Sequence, residues 1–287
     1  MTIEAPVPAS PIAQREFRED LLDLASYEFR TAQTQCGDCA DYHALFGYGR
    51  LAGLHDGINR DEETLAPLLG SRLDSGAKLL IACAADAGLL ALAARATIAK
   101  SPAISVADRC ATPLAVCRRF AETENLRLRT IQSDFSKAAL GESFDVALAH
   151  NVLLFVPESL QVNFLRNVGR SLSDAGVLIL VSRGALPQQS GKVPTLYRTH
   201  GNILAALSER GIALPEEELL FRQRLERLDE GRRRALAPMQ LHREKIEATL
   251  DAAGFNIVER IRHERRRLEG SSEIVPTFIF IAAFVRH

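Results

Sequence analysis

The sequence predicts an α/β fold: a Rossmann-like seven-stranded sheet, mostly parallel with an antiparallel last strand, plus an N-terminal helical lid and a helical insertion after strand five. Three observations predict it. Lys78 to Gly88, KLLIACAADAG, reads as a buried strand turning tightly into a helix that continues through Leu89 to Ile98. A second short apolar run, Ala103 to Ala107, ends in the carboxylate of Asp108. From there strand-like and helix-like stretches alternate, which implies parallel strands joined by right-handed crossovers.

Taken in order, residues 1–11 are loose, rich in Pro and Ala, and without the basic-then-apolar pattern of a leader. Residues 12–75 are expected to form the lid. Helical spacing runs over 12–33, a glycine-interrupted helix over 41–54, and a helix with an acidic first turn over 61–73. Residues 76–287 form the main domain, with strands over 79–83, 103–107, 127–132, 144–149 and 176–182 and helices over 86–98, 112–124 and 158–172. Asp174 and Gly176 supply the turn before strand five. The insertion, 184–238, opens with the breakers Pro187, Gly191 and Pro194 and holds two charged helices, 202–210 and 216–234. A helix over 239–253, stopped by Gly254, then leads into strands 255–262 and 277–285, an antiparallel closing pair.

The composition narrows the function. A chain of 287 residues with 47% hydrophobic content buries a full α/β core with material left for a cap. The formal net charge of -1 gives no field drawing the protein to nucleic acid or an anionic membrane, so small-molecule chemistry is expected. No apolar run approaches a membrane span. Five cysteines, an odd count with Cys83, Cys110 and Cys117 in strand and helix contexts, favour reduced thiols and a cytoplasmic location. The apolar strand near the C-terminus is either internal or part of a homodimer contact.

The turn at Ala84 to Leu89 lacks the three glycines that bring a backbone close to a pyrophosphate, so NAD is not expected. Asp86 beside a helix N-terminus repels a pyrophosphate but attracts a cofactor carrying an ammonium and a sulfonium, the two charges of S-adenosylmethionine.

Three features together resemble the class I S-adenosylmethionine-dependent methyltransferases, over roughly 78–183 with the final helix and two strands. They are Asp86-Ala87-Gly88-Leu89-Leu90, Val106-Ala107-Asp108 before a helix from Thr112, and Ser133-Asp134-Phe135 followed by Ser143-Phe144-Asp145-Val146-Ala147. The resemblance implies a seven-stranded sheet with an antiparallel last strand, Asp108 on the cofactor ribose, Asp134 on the adenine amine, and the segment around His150 and Asn151 close to the sulfonium. Ala84, Asp86, Gly88, Arg109, Ser133 and Phe135 complete the expected cofactor set. The sequence departs from the family loop, an acid followed by Gly-x-Gly-x-Gly, with Ala82, Ala84 and Asp86 before Gly88. A Cβ at each replaced glycine disfavours positive φ and is expected to push the backbone away from the methionine part of the cofactor.

Methyl transfer needs alignment more than proton transfer, so a base matters only where the acceptor must lose a proton early. His150, at the carboxyl end of strand four, is the first choice for that role, against a reading as a packing histidine. Tyr42 and His43, in the segment DYHALFGYGR, are further catalytic candidates, and Tyr42, Tyr48, Tyr197, Arg198 and His200 are expected around the acceptor. Asp108 also reads as a helix cap, and Asp134 as a solvated turn. Cys36-Gly37-Asp38-Cys39 with His43 and His55 has metal-ligand chemistry, but its spacing matches no common zinc module, and no metal is expected. The arginines at 222–234 and 260–267 interleave with acids and read as ion-paired surface. A small-molecule methyltransferase is the leading reading. The alternatives are a scaffold that has lost catalysis and an RNA or protein methyltransferase.

Overall fold

The computed structural model describes residues 11–53, 57–184, 200–236, 242–266 and 274–286. Seven strands form one sheet: β1 (Lys78–Ala82), β2 (Ala103–Asp108), β3 (Leu128–Gln132), β4 (Phe144–His150), β5 (Leu172–Arg183), β6 (Phe255–Arg266) and β7 (Ile274–Phe284). Their order is β3-β2-β1-β4-β5-β7-β6, and β7 runs antiparallel to both β5 and β6. The expected sheet, with its antiparallel last strand, is the one observed. The C-terminal strand is internal, with Phe278 to Ala282 buried between its two neighbours.

The central strands are continuous apolar runs because helices cover both faces. Leu79 and Ile81 point to one face, where α3 (Gly57–Arg72) and α4 (Gly88–Thr97) contribute Leu65, Leu69, Leu89 and Leu92. Leu80 and Ala82 point to the other, where α6 (Glu158–Arg170) and α9 (Arg243–Ala252) contribute Phe164, Leu165, Ile246 and Leu250. Strand pleating produces this alternation. The helix α5 (Ala111–Thr123) follows β2.

A third cluster of buried side chains stands apart from the sheet. The helices α1 (Pro11–Gln35) and α2 (Ala40–Leu51) bring Phe29, Leu45 and Tyr48 against Leu207 of α7 (His200–Glu209) and Phe221 and Leu225 of α8 (Glu218–Leu236). The first two N-terminal helices and the insertion helices therefore share one core. The helix α3, expected with the lid, packs instead into the sheet's own layer through Leu65, Leu69 and Leu73.

Two local differences from the sequence reading have clear causes. β5 starts at Leu172, not at Gly176, because Leu172 already pairs with Phe144 and an irregularity between Phe144 and Val146 absorbs the extra residues. Gly176 is required there, since a Cβ would lie 2.7 Å from the Phe144 carbonyl oxygen. Gly254 ends α9 with φ +92, as a helix stop in the left-handed region does. Among the described residues no helix is long and apolar enough to cross a membrane.

Candidate active site

The turn after β1 is closed by side chains. Cys83 takes a left-handed φ of +70 while its N–H bonds the Ala107 carbonyl at 2.8 Å. That conformation costs a non-glycine residue about 1 kcal/mol. Ala84 and Asp86, which replace the family glycines, take no positive φ. The left-handed residue of this turn is therefore Cys83, ahead of both replaced positions.

Asp86 organises what comes next. One carboxylate oxygen accepts the Gly88 N–H at 2.8 Å, and the other is ion-paired with the Arg50 guanidinium from α2. Both side chains are more than nine-tenths buried. Arg50 lies directly over Gly88, where a Cβ would meet its Nη1 at 2.6 Å. Glu28 of α1 is fully buried beside them, and burial, then the Asp86 charge, holds its carboxyl well above the usual carboxylate range. Its Oε1 has no hydrogen-bond partner.

At the end of β2, Asp108 turns inward. Its two oxygens accept the N–H groups of Ala84 at 3.1 Å and Cys110 at 2.7 Å, tying the turn after β1 to the start of α5. Burial pushes its pKa up to about 6, against the opposing pull of those two N–H groups and Arg109. Beyond it opens a cavity of about 550 Å³, lined among others by Arg109, Gln132, Ser133, Asp134, Cys36 and Cys39. Asp134 keeps its carboxylate partly exposed there, with Ser136 N–H at 3.0 Å and Ser136 Oγ at 2.6 Å on one oxygen. Burial works upward on its pKa, but these bonds and Lys137 hold it below the usual range. Phe135, expected with the cofactor set, is 1% exposed and stacks edge-on against Phe164 in the sheet core. Phe135 sits in the turn after β3, which Asn167 of α6 holds by donating to the Phe135 carbonyl at 2.8 Å, and the ring faces the core beneath.

At the end of β4, His150 Nε2 donates to Asp61 Oδ2 of α3 at 2.7 Å, and Nδ1 accepts from Asn151 Nδ2 at 3.2 Å. Burial, then Arg183, drives the imidazole pKa down to about 3, and the Asp86 charge pulls the other way. The neutral ring satisfies every partner, but both nitrogens are engaged, so His150 ties α3 to β4 and is not placed as a base. Asn151, left-handed at φ 55, binds back to β5 through its N–H on the Val181 carbonyl and its Oδ1 on the Arg183 N–H.

The α2 candidates separate. Tyr48 is 1% exposed, edge-on to Phe29 and Phe221 with its hydroxyl 3.3 Å from Ser26 Oγ, so it belongs to the core and not to an acceptor pocket. Tyr42 instead groups with Phe46 and with Phe155, whose ring is half exposed just past the 3-10 turn Val152–Leu154. His43 is 4% exposed and meets the Tyr42 ring edge-on. Tyr197 and Arg198 lie outside the described residues, as does His55, and His200 begins α7.

Four residues that sequence reasoning passed over shape this region: Arg50, Glu28, Asp61 and Phe155. Arg50 and Asp61 look like ordinary helix-end charges, and nothing in their spacing shows that they meet Asp86 and His150 across 36 and 89 residues. Phe155 carried a readable signal, an aromatic just past the strand-four end where ligands of such sheets bind.

The family model for a methyltransferase domain matches residues 79–180. No curated protein matches the sequence. Among solved structures, a "possible exported protein" from Bordetella parapertussis superposes with TM-score 0.52 at 16% identity, covering 97% of this chain and 100% of that one. A Leishmania major S-adenosylmethionine-dependent methyltransferase gives 0.51 at 10% identity over 93% and 82%. Magnesium protoporphyrin IX methyltransferase from Synechocystis, solved with bound S-adenosylhomocysteine, gives 0.51 at 13% over 81% and 86%. These likenesses speak to the fold. Together with the strand order they show the fold that class I methyltransferases share, and the stretch from β1 to β5 is the part that matches the methyltransferase-domain model.

Proposed function

We propose that the protein transfers a methyl group from S-adenosylmethionine to a small acceptor with a flat apolar face. The observation that carries this reading is the buried Arg50–Asp86 pair over Gly88. An α-amino acid ends in one carboxylate and one ammonium, and the pair offers one cation and one anion in contact at the turn after β1. The donor set beyond it fits the nucleoside half. Asp108 keeps lone pairs for ribose hydroxyls, Asp134 faces the cavity as an acceptor for an amine, and about 550 Å³ lies within the range of small-molecule sites.

When bound, S-adenosylmethionine supplies a methyl group made electrophilic by its sulfonium. The chain's own part is to align and to exclude water. Arg50 and Asp86 hold the amino-acid end, the His150–Asp61 link fixes α3 against β4, and Tyr42, Phe46 and Phe155 offer ring faces to the acceptor. α1, α2, α7 and α8, which share one core, are the cover over this region.

Calorimetry with S-adenosylhomocysteine tests the reading: saturable heat with Kd below about 1 mM is expected, weakened at least about tenfold in Arg50→Met and in Asp134→Asn. No heat at that concentration overturns it. Metabolite extracts incubated with the protein and S-adenosylmethionine should then show a product heavier by one methyl group. A second reading, a domain that keeps the fold without the cofactor, is favoured by Arg50 already lying against Gly88, and the absence of heat would support it.

A further inference from the structure

We infer that Cys36, Cys39 and His43, joined by Cys110, form a zinc site that staples the α1–α2 turn to the β2–α5 turn. The ligand atoms of Cys36, Cys39 and His43 lie within 4.8 Å of one another. Cys39 is the N-cap residue of α2, and His43 stands one helical turn further on, on the same face. From the opposite side Cys110, the N-cap residue of α5, brings its sulfur within 3.4 Å of Cys39 Sγ.

The histidine supplies an independent sign. His43 is 4% exposed, and its Nδ1 is buried with no hydrogen-bond partner. Its hydrogen bond to the backbone of Ala85 leaves the ring one N–H donor on a carbonyl and one bare nitrogen. A ligating imidazole has this arrangement, with the outer nitrogen pinned to a carbonyl so that the inner one presents its lone pair. Packing alone gives no reason to bury an unused imidazole nitrogen beside sulfur atoms.

The dimensions fit a tetrahedral ion. With Zn–S near 2.3 Å and Zn–N near 2.0 Å, neighbouring ligand atoms stand about 3.5–3.8 Å apart, so Cys36, Cys39 and His43, mutually within 4.8 Å, close onto an ion with movements of about 1 Å, and Cys110 joins from the side of Cys39, 3.4 Å away. A disulfide between Cys39 and Cys110 would need the sulfurs at about 2.05 Å and would leave Cys36 and His43 Nδ1 without a role. Three thiolates and one neutral imidazole around a dication carry a net charge of -1, and three protons leave on binding. Arg109, which lines the same cavity, stands beside the cluster as the counter-charge. Thr112 Oγ1, 3.0 Å from Cys36 Sγ, is a hydrogen-bond donor to that thiolate. The soft ligand set selects zinc over calcium or magnesium.

The test uses the full chain, reduced and then loaded with cobalt(II) as a spectroscopic stand-in. One equivalent should give the intense thiolate-to-cobalt charge-transfer band with the visible bands of a tetrahedral ion, and zinc should displace it. Protein purified without chelator should hold one zinc per chain by mass spectrometry of the metal. Cys39→Ser and His43→Ala should lose the bands, while Cys36→Ser and Cys39→Ser, both at partly exposed positions, keep the test usable if the buried His43→Ala folds poorly. No charge-transfer band in the wild-type chain, or zinc content equal to that of the Cys36→Ser/Cys39→Ser/Cys110→Ser variant, overturns the site. So does a Cys39–Cys110 disulfide in chain purified without oxidant. A spectrum unmoved by Cys110→Ser overturns its assignment as the fourth ligand.

Discussion

Replacing Arg50 by Met should destabilise the protein by about 3–5 kcal/mol, the range for removing one partner of a buried ion pair. Asp86 is only 7% exposed on its side chain, and without Arg50 its carboxylate keeps the Gly88 N–H but loses its cation. The methionine fills much of the arginine stem's volume, so the loss is mainly that of the charge and not of packing. Spread over a chain of this size the change lowers Tm by roughly 6–20 °C. The partner substitution separates charge from shape. In Arg50→Met/Asp86→Asn no charge remains at the pair, the amide oxygen still accepts from Gly88, and most of the loss should be recovered. A double-mutant cycle followed by urea unfolding should thus give a coupling energy of about 2–3 kcal/mol. Exposed pairs contribute about 0.2–1 kcal/mol. A loss of that size in Arg50→Met, or additive effects in the cycle, would refute the claim that this pair closes the turn after β1.

Asp108 predicts a pH signature. Its folded pKa, raised to about 6 from 3.8, means the unfolded chain releases its proton first as pH rises, so stability is lost between about pH 4 and 6, by an order of 3 kcal/mol. Asp108→Asn should lack that slope when unfolding is measured across the window, and parallel curves for the two proteins would contradict the burial argument. Tyr48→Ala should cost about 3–5 kcal/mol by thermal unfolding and Tyr48→Phe about 1 kcal/mol, with S-adenosylhomocysteine affinity unchanged in the latter; lost affinity in Tyr48→Phe would return the residue to the binding site. Phe155→Ala, at a half-exposed ring, should change stability by less than about 0.5 kcal/mol yet raise the acceptor KM, and an unchanged KM would remove Phe155 from the acceptor face.

The sheet was legible because its signals are local and redundant. Leu79 to Ala82 announce a strand buried on two faces, Gly254 announces a helix stop, and the alternation of short apolar runs with helical spacing leaves few topologies. Of the candidate residues the sequence placed only the position: Asp108 and His150 end β2 and β4, and Asp86 and Asp134 lie in the loops just past β1 and β3. What each of these carboxylates and rings touches is decided by α1–α3, whose charges at Glu28, Arg50 and Asp61 have no periodicity that marks them out. Tyr48 and Phe135 failed as site residues for the same reason. Aromatic type is shared by cores and pockets, and only the packing of α8 on α2 and of α6 on the sheet shows which use applies.

The altered glycine turn and the N-terminal helices explain one another. A glycine-rich turn leaves an open backbone corner for a ligand's amino-acid end, and binds it with main-chain groups. Here the corner is filled from α2 by Arg50, and Asp86 stands where a glycine would, so in the function proposed above the recognition chemistry moves from the backbone to a side-chain pair held in part by a different element. That transfer links ligand binding to the seating of α2. Because α2 shares its core with α1, α7 and α8 through Phe29, Leu45, Leu207 and Phe221, a displacement of Arg50 by an incoming carboxylate must be taken up by that four-helix unit. In the proposed function α7 and α8 are then coupled to the cofactor end of the site through α2. Loosening the shared core, for example with Leu207→Ala, should weaken S-adenosylhomocysteine binding from a residue that makes no contact with the turn.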